Sequence, residues 1–463
     1  MQAVTEENAM SRSHASRSAL GLGIFILIAA LPPRSALAMP QLFGTDASGS
    51  GPGSSGKLLT IDQTTGVASL VGFVGFEELS GITCSRAGVL YGSLGALGGG
   101  QIITIDRTTG AGTLVGSSGF ASVQALTTSR SGTLYGSAGA TSCADTLVTI
   151  DALSGVATAV GGTYGGGSID IDGMNAIAFD PADVLYGVTG SCDTFAPGPA
   201  LYVIDRSTGG ATLVGRVVDA MGAPPVADPV GLEFLPDGTL LASTAGEGDI
   251  IAIDPATGVF TLVGSSGRGN PVTALAYCGC DPAPVAAGCD VASGRSQLGI
   301  VNKADDTKDK LAWKWQKGSV TPAALGDPVA GTTTYVLCVY DDSALVMSAR
   351  IPRGGTCPGG ASGKPCWKAV GNPLGSKGFT YADKAGTPDG VATLAFRPGV
   401  GGRAQISLAG KGANLLMPPT MPLAQSTAVT VQLFKSDGAE CWQAAYLPSA
   451  VRNTSEVFKD KTP

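Results

Sequence analysis

The phrase LLTIDQTTGVASLVG, Leu58 to Gly72, returns four more times along the chain. It reads IITIDRTTGAGTLVG from Ile102, LVTIDALSGVATAVG from Leu147, LYVIDRSTGGATLVG from Leu201 and IIAIDPATGVFTLVG from Ile250. Asp62, Asp106, Asp151, Asp205 and Asp254 therefore mark one position, at spacings of 44, 45, 54 and 49 residues. Each phrase is a strand, a D-x-x-[TS]-G turn and a second strand. The turn has a mechanism: the Asp carboxylate accepts local backbone N–H groups, and the Gly takes a conformation closed to other residues. These aspartates read as turn caps, because a residue needed in every repeat is needed for the fold.

Between these hairpins lies a second repeated pair, GITCSRAGVLYGS from Gly81, ALTTSRSGTLYGS from Ala125, AIAFDPADVLYGV from Ala176 and GLEFLPDGTLLAS from Gly231. Each unit thus holds four strands. A four-stranded repeat of this length is the signature of a β-propeller blade, since one such sheet cannot bury both faces alone and must stack on its neighbours around an axis. The chain enters at LFG, Leu42 to Gly44, already on the second strand of a blade, and leaves the array on TALAY, Thr273 to Tyr277, a lone inner strand. Pairing these ends would complete the first blade and remove the bare edges of an open sheet. The expectation is an all-β chain with a five-bladed β-propeller closed by a C-terminal inner strand.

The ID-x-x-TG hairpins followed by LYG strands resemble the secreted bacterial propeller repeats of the YVTN and NHL groups, over residues 41 to 278. The resemblance implies a fold and a binding role more than a reaction. Lyases acting on streptogramin antibiotics share such propellers, but that activity uses histidine. This chain has one, His14.

His14 sits in a segment with Arg12, Arg17 and the apolar run Leu20 to Leu31, ending in PPRSALA with small residues Ala36 and Ala38. That is the layout of a secretory signal peptide, residues 1–38, with an uncleaved anchor as the alternative. Cleavage would leave a protein without histidine. Imidazole-dependent nucleophile activation and most catalytic zinc, copper and haem sites would then be excluded. Carboxylate acid/base work, oxygen-ligated Ca²⁺ or Mg²⁺, thiolate sites, or no chemistry would remain. Glycine, 69 of 463 residues, fits a chain of many tight turns, and ten cysteines in an exported protein point to disulfides.

Function on a propeller should sit where the repeat breaks. The regular short turns open on one face of the disc, while the variable connections open on the other and carry carboxylates with no counterpart in other blades. These are Glu77, Glu78, Asp145, Asp170, Asp172, Asp193, Asp219, Asp228, Glu247 and Asp249. Asp170 and Asp172 lie two apart in the longest loop, a pair suited to a hard cation such as Ca²⁺. Glu233 is the remaining candidate: it stands on an inner strand where the matching residues are Thr83, Thr127, Ala178 and Ala276, and is a candidate to face the central channel. The plainer alternative is that these are solvated acids that keep an exported protein soluble. The repeated Tyr91, Tyr135 and Tyr186 read as blade packing.

Charge divides the chain. Residues 39–281 carry 7 basic and 21 acidic residues, whereas 282–463 carry 19 and 13, so two domains are expected, at 39–281 and 298–463, joined by a Pro/Ala/Gly-rich linker at 282–297. Nucleic acid is excluded as a partner by bulk charge. Cys143 and Cys192 occupy equivalent loops and are expected to bridge; Cys357 and Cys366 enclose a small loop; Cys338 and Cys441 pair by default, although connectivity is not readable from sequence. About nine short strands after the linker suggest a β-sandwich, which holds all four tryptophans: Trp313, Trp315, Trp367 and Trp442. Trp313 and Trp315 share one strand face, as a core anchor or as a platform for sugars. The phrase GFTYADKAGTPDG resembles uncharacterised accessory domains of secreted bacterial proteins.

Two functions follow. One is a secreted or periplasmic, non-enzymatic binding or scaffolding protein, whose variable acidic face recognises a glycan or protein, with Ca²⁺ as a candidate cofactor and no membrane association after signal cleavage. The alternative is a five-bladed glycoside hydrolase using Glu233 as acid with Asp170 or Asp172 as base or nucleophile.

Overall fold

The computed structural model describes residues 41–46, 56–85, 88–139, 146–164, 171, 173–190, 196, 198–331, 333–357, 364–436 and 440–463. Apart from two single helical turns, Asp306–Lys308 and Ala323–Leu325, every regular element among these is a strand. The repeat builds four-stranded antiparallel sheets of propeller-like kind. Four of them take consecutive strands, starting at Leu79–Cys84, Ser122–Thr128, Met174–Phe179 and Pro229–Phe234. The first sheet is composite. Its strands Gln41–Asp46, Lys57–Ile61 and Ala68–Phe73 are joined by Ala274–Cys278, which pairs antiparallel with Gln41–Asp46 and sets Phe43 opposite Ala276.

The hairpin turns follow their sequence. Asp151 Oδ1 accepts the Leu153 and Ser154 N–H groups at 2.9 and 2.8 Å, and the Gly155 N–H donates to the Asp151 carbonyl at 2.8 Å with Gly155 at φ 76°. Asp62 and Asp106 do the same in their own turns, while Asp205 and Asp254 accept the Ser207 and Ala256 N–H groups at 2.8 and 2.9 Å.

Packing between sheets explains the glycine that ends each LVG phrase. A Cβ on Gly116 would stand 2.0 Å from the Ser154 carbonyl oxygen of the next sheet, and one on Gly264 of the fifth sheet would stand 2.0 Å from the Thr65 oxygen of the first. Backbone bonds cross at the same level: Gly112 N–H to Val74 O at 2.9 Å from second to first sheet, and Ala68 N–H to Ser266 O at 3.0 Å from first to fifth. Among the described residues, a separate apolar core lies between each successive pair of sheets. The last joins Leu241 and Ile250 of the fifth sheet to Leu42 and Leu59 of the first. Tyr135 packs edge-on against Phe179 and Tyr186 tilts onto Phe234, so these tyrosines fill the seams between sheets.

Beyond Cys278 the chain forms a five-stranded and an eight-stranded sheet that share one core. All four tryptophans lie within it, Trp313 and Trp315 with no exposed surface, which removes a sugar-stacking role for that pair. The five-stranded sheet is buried on both faces: Tyr335–Tyr340 and Val429–Lys435 are continuously buried. Its second face meets Cys280 and Val285.

The disulfides differ from expectation in one respect. Cys357 bonds Cys366, but Cys338 bonds Cys280 and Cys441 bonds Cys289 rather than each other. Strands Tyr335–Asp341 and Cys441–Tyr446 lie on either side of Val429–Lys435. Two strand spacings, about 9.5 Å, exceed the reach of a disulfide. A fourth bond joins Cys84 to Cys278. Cys143 and Cys192 lie outside the described residues. The stretch expected as a linker contributes a short strand, Asp290–Val291, paired in parallel with Trp442 and Gln443.

Candidate functional site

Of the variable-face carboxylates, Asp145, Asp170, Asp172 and Asp193 lie outside the described residues, and so does the candidate cation pair. Among the described residues, no three carboxylate, thiolate or imidazole side chains gather into a group that could hold a metal ion. Glu78 adopts φ 51° and its carboxylate accepts the Leu97 N–H, while Asp219 accepts the Met221 and Ala223 N–H groups at 2.8 and 2.9 Å. Both acids therefore shape their own loops. Glu77, Asp228 and Asp249 are half-buried and Glu247 is exposed. A carboxylate missed in the sequence, Asp46, is fully buried at the end of its strand, 3.3 Å from the Lys57 ammonium and 3.8 Å from Arg268.

The opposite ends of the inner strands enclose a cavity of about 130 Å³. Thr83, Thr127, Glu233 and Tyr277 line it, each the penultimate residue of its strand. Facing them are Ser348, Arg350 and Asp389 from the C-terminal half of the chain. This is the face of the short regular turns, and the C-terminal sheets cover it. Arg130, in the third sheet's turn, donates to the Pro388 and Asn414 carbonyls, and Arg353 Nε reaches Asp237 Oδ2 in the fifth sheet's turn at 3.0 Å. The Cys280–Cys338 bond and the Arg107 bond to the Cys280 carbonyl at 2.8 Å fix the crossing point.

Glu233 is the one acid at its level of the inner strands. It is half-buried and lines the cavity, and burial pushes its carboxyl up to about 8; the Tyr277 N–H, the Arg350 guanidinium and the Phe234 N–H oppose this without prevailing. Arg350 is held by Asp389 in a bidentate pair, Nε–Oδ2 2.8 Å and Nη2–Oδ1 3.0 Å, with the Arg350 N–H on Oδ2 at 2.9 Å. Burial would raise Asp389, yet the charge and hydrogen bonds of Arg350, with help from Arg130, hold it below the usual carboxylate range. A neutral acid and a fixed, paired guanidinium thus face one another across the cavity. Sequence reading found Glu233 but not Arg350 or Asp389. The signal for Arg350 was the alternation in ALVMSARI, which puts Ser348 and Arg350 on the face opposite the buried Met347, Ala349 and Ile351.

No protein-family model matches the chain, and no curated protein matches it in sequence. Among solved structures, it is similar to a chain of a nidogen/laminin complex at 10% identity and TM-score 0.35, over 51% of this chain and 98% of that one. A gluconolactonase from Xanthomonas campestris aligns at 14% identity and TM-score 0.31, over 46% of this chain and 70% of its own. TolB from Acinetobacter baumannii aligns at 13% identity and TM-score 0.34, over 52% and 66%.

Proposed function

We propose that the chain is an exported, non-enzymatic binding protein: a five-bladed β-propeller at 39–281, closed by Ala274–Cys278, followed after residues 282–297 by a β-sandwich at 298–463. Among the described residues, inter-sheet cores that return to the first sheet support the closed ring, and four disulfides support an oxidising compartment. A signal peptide at 1–38 would deliver it to the periplasm or beyond the cell.

One observation carries the binding role: the C-terminal sheets occupy the regular-turn face, which leaves the variable loops as the open end of the propeller. The partner on that end is a glycan or protein, with Asp170 and Asp172 as candidate ligands for Ca²⁺. The hydrolase alternative places two working carboxylates within about 5–10 Å of each other. Glu233 is the fifth residue of its six-residue strand, whereas Asp170 and Asp172, its partners in that alternative, lie outside the described residues. Asp389, which does share the cavity, is fully engaged by Arg350.

The test is a glycan array and affinity capture on the processed protein with and without Ca²⁺, beside a chromogenic glycoside screen. Saturable binding lost in Glu77→Ala/Glu247→Ala or Asp170→Asn/Asp172→Asn supports the assignment. Turnover abolished by Glu233→Gln overturns it in favour of the hydrolase.

A further inference from the structure

We propose that the axial cavity between the inner strands and the C-terminal sheets is a second binding site, for a small organic carboxylate held between Glu233 and Arg350. It lies at the end of the inner strands remote from the variable loops, so it stands or falls separately from the partner-binding face.

The donors converge. Arg350 spends its backbone N–H, Nε and Nη2 on Asp389, which leaves Nη1 with no hydrogen-bond partner among the described residues. Asp389 thereby fixes the guanidinium while leaving one edge to the cavity, the preorganisation a carboxylate site needs. Thr127 Oγ1 accepts the Phe179 N–H at 3.3 Å, so its own O–H remains a donor. A neutral Glu233 adds a carboxylic O–H. Phe179, Phe234 and Tyr277 supply an apolar wall for the body of the ligand. The volume admits on the order of ten heavy atoms. A cation is disfavoured because the Arg350 charge acts directly on Glu233.

The site is assembled by two parts of the chain and rests on a departure from the repeat. The residues matching Glu233 are Thr83, Thr127, Ala178 and Ala276, all small. The groups that face Glu233 are Tyr277 on the neighbouring inner strand, Arg350 with Asp389 behind it, and Arg130, Asp180 and Asp183 in the turns of two other sheets. Tyr277 is pushed upward by burial, and Asp183 is engaged by the Arg130 N–H and by Arg206. Glu233 is therefore the group whose proton changes between neutral and alkaline pH, and its ionisation would place a negative charge against the ligand carboxylate.

Isothermal titration of the processed, disulfide-intact protein with acetate, propionate and butyrate, and with glycerol as a neutral control, tests this. Saturable one-to-one binding of a carboxylate at pH 6.5, at least tenfold weaker at pH 9.5 and absent for glycerol, is expected. Glu233→Gln keeps a donor that cannot ionise, so it should bind at both pH values with the pH dependence gone. Absence of saturable binding by every carboxylate to folded wild type at pH 6.5, equal binding of glycerol, or an unchanged pH profile in Glu233→Gln overturns the proposal.

Discussion

Glu233→Gln should flatten part of the pH dependence of folding. In the folded protein burial raises the Glu233 carboxyl from 4.5 to about 8. Between those values the native state holds a proton that the unfolded chain has released. Stability therefore falls as pH rises from about 4.5, and the loss is complete above about 8. At about 1.4 kcal/mol per tenfold change, that elevation is worth about 5 kcal/mol, an upper bound because the cavity can admit water. The amide is nearly isosteric, still accepts the Tyr277 N–H and does not titrate. Guanidinium denaturation of both proteins from pH 5 to 9 isolates the effect, since all other carboxylates cancel in the difference. The variant should gain on wild type steadily up to pH 8 and no further. Parallel stability profiles over that window, or a wild type that gains on the variant, would refute the placement of Glu233 in a desolvated cavity.

Three further outcomes are expected. Peptide mapping without reduction should recover Cys84–Cys278, Cys280–Cys338, Cys289–Cys441 and Cys357–Cys366 as linked peptides; a Cys338–Cys441 peptide would contradict the sheet order. Gly116→Ala, which drives a methyl group into the Ser154 carbonyl, should cost about 2–3 kcal/mol in denaturation, whereas Gly162→Ala, with nothing within 4 Å, should stay within about 0.5 kcal/mol. The Asp151 carboxyl, which accepts the Ser154 and Leu153 N–H groups, should titrate by NMR below 3.8, and a value above it would remove the turn-cap assignment.

The repeats were legible because their chemistry is local. Asp, Gly and strand alternation sit within fifteen residues of each other in LLTIDQTTGVASLVG, and the turn needs nothing else. The pairing of Gln41–Asp46 with Ala274–Cys278 was legible too, since each end of the array lacks what the other supplies. Glu233 stood out against Thr83 and Ala178 for the same reason. The cavity was not legible. Arg350 and Asp389 belong to a region with no repeat to compare against, and what they face depends on how the C-terminal sheets meet the first half of the chain. One clue was present: TTYVLCVYD is apolar without alternation, as a strand covered on both faces must be, which implies a second surface packed against that sheet. The Cys338 pairing failed because elimination ignores strand order.

The composite first sheet also bears on the order of folding. Three of its strands are synthesised early, yet Thr45 finds Thr273 only after 228 more residues have been made. Until then the nascent chain carries a hydrogen-bonding edge that any neighbouring copy could extend. A protein built this way relies on chaperones, or on rapid completion of its chain, to close the sheet unaggregated.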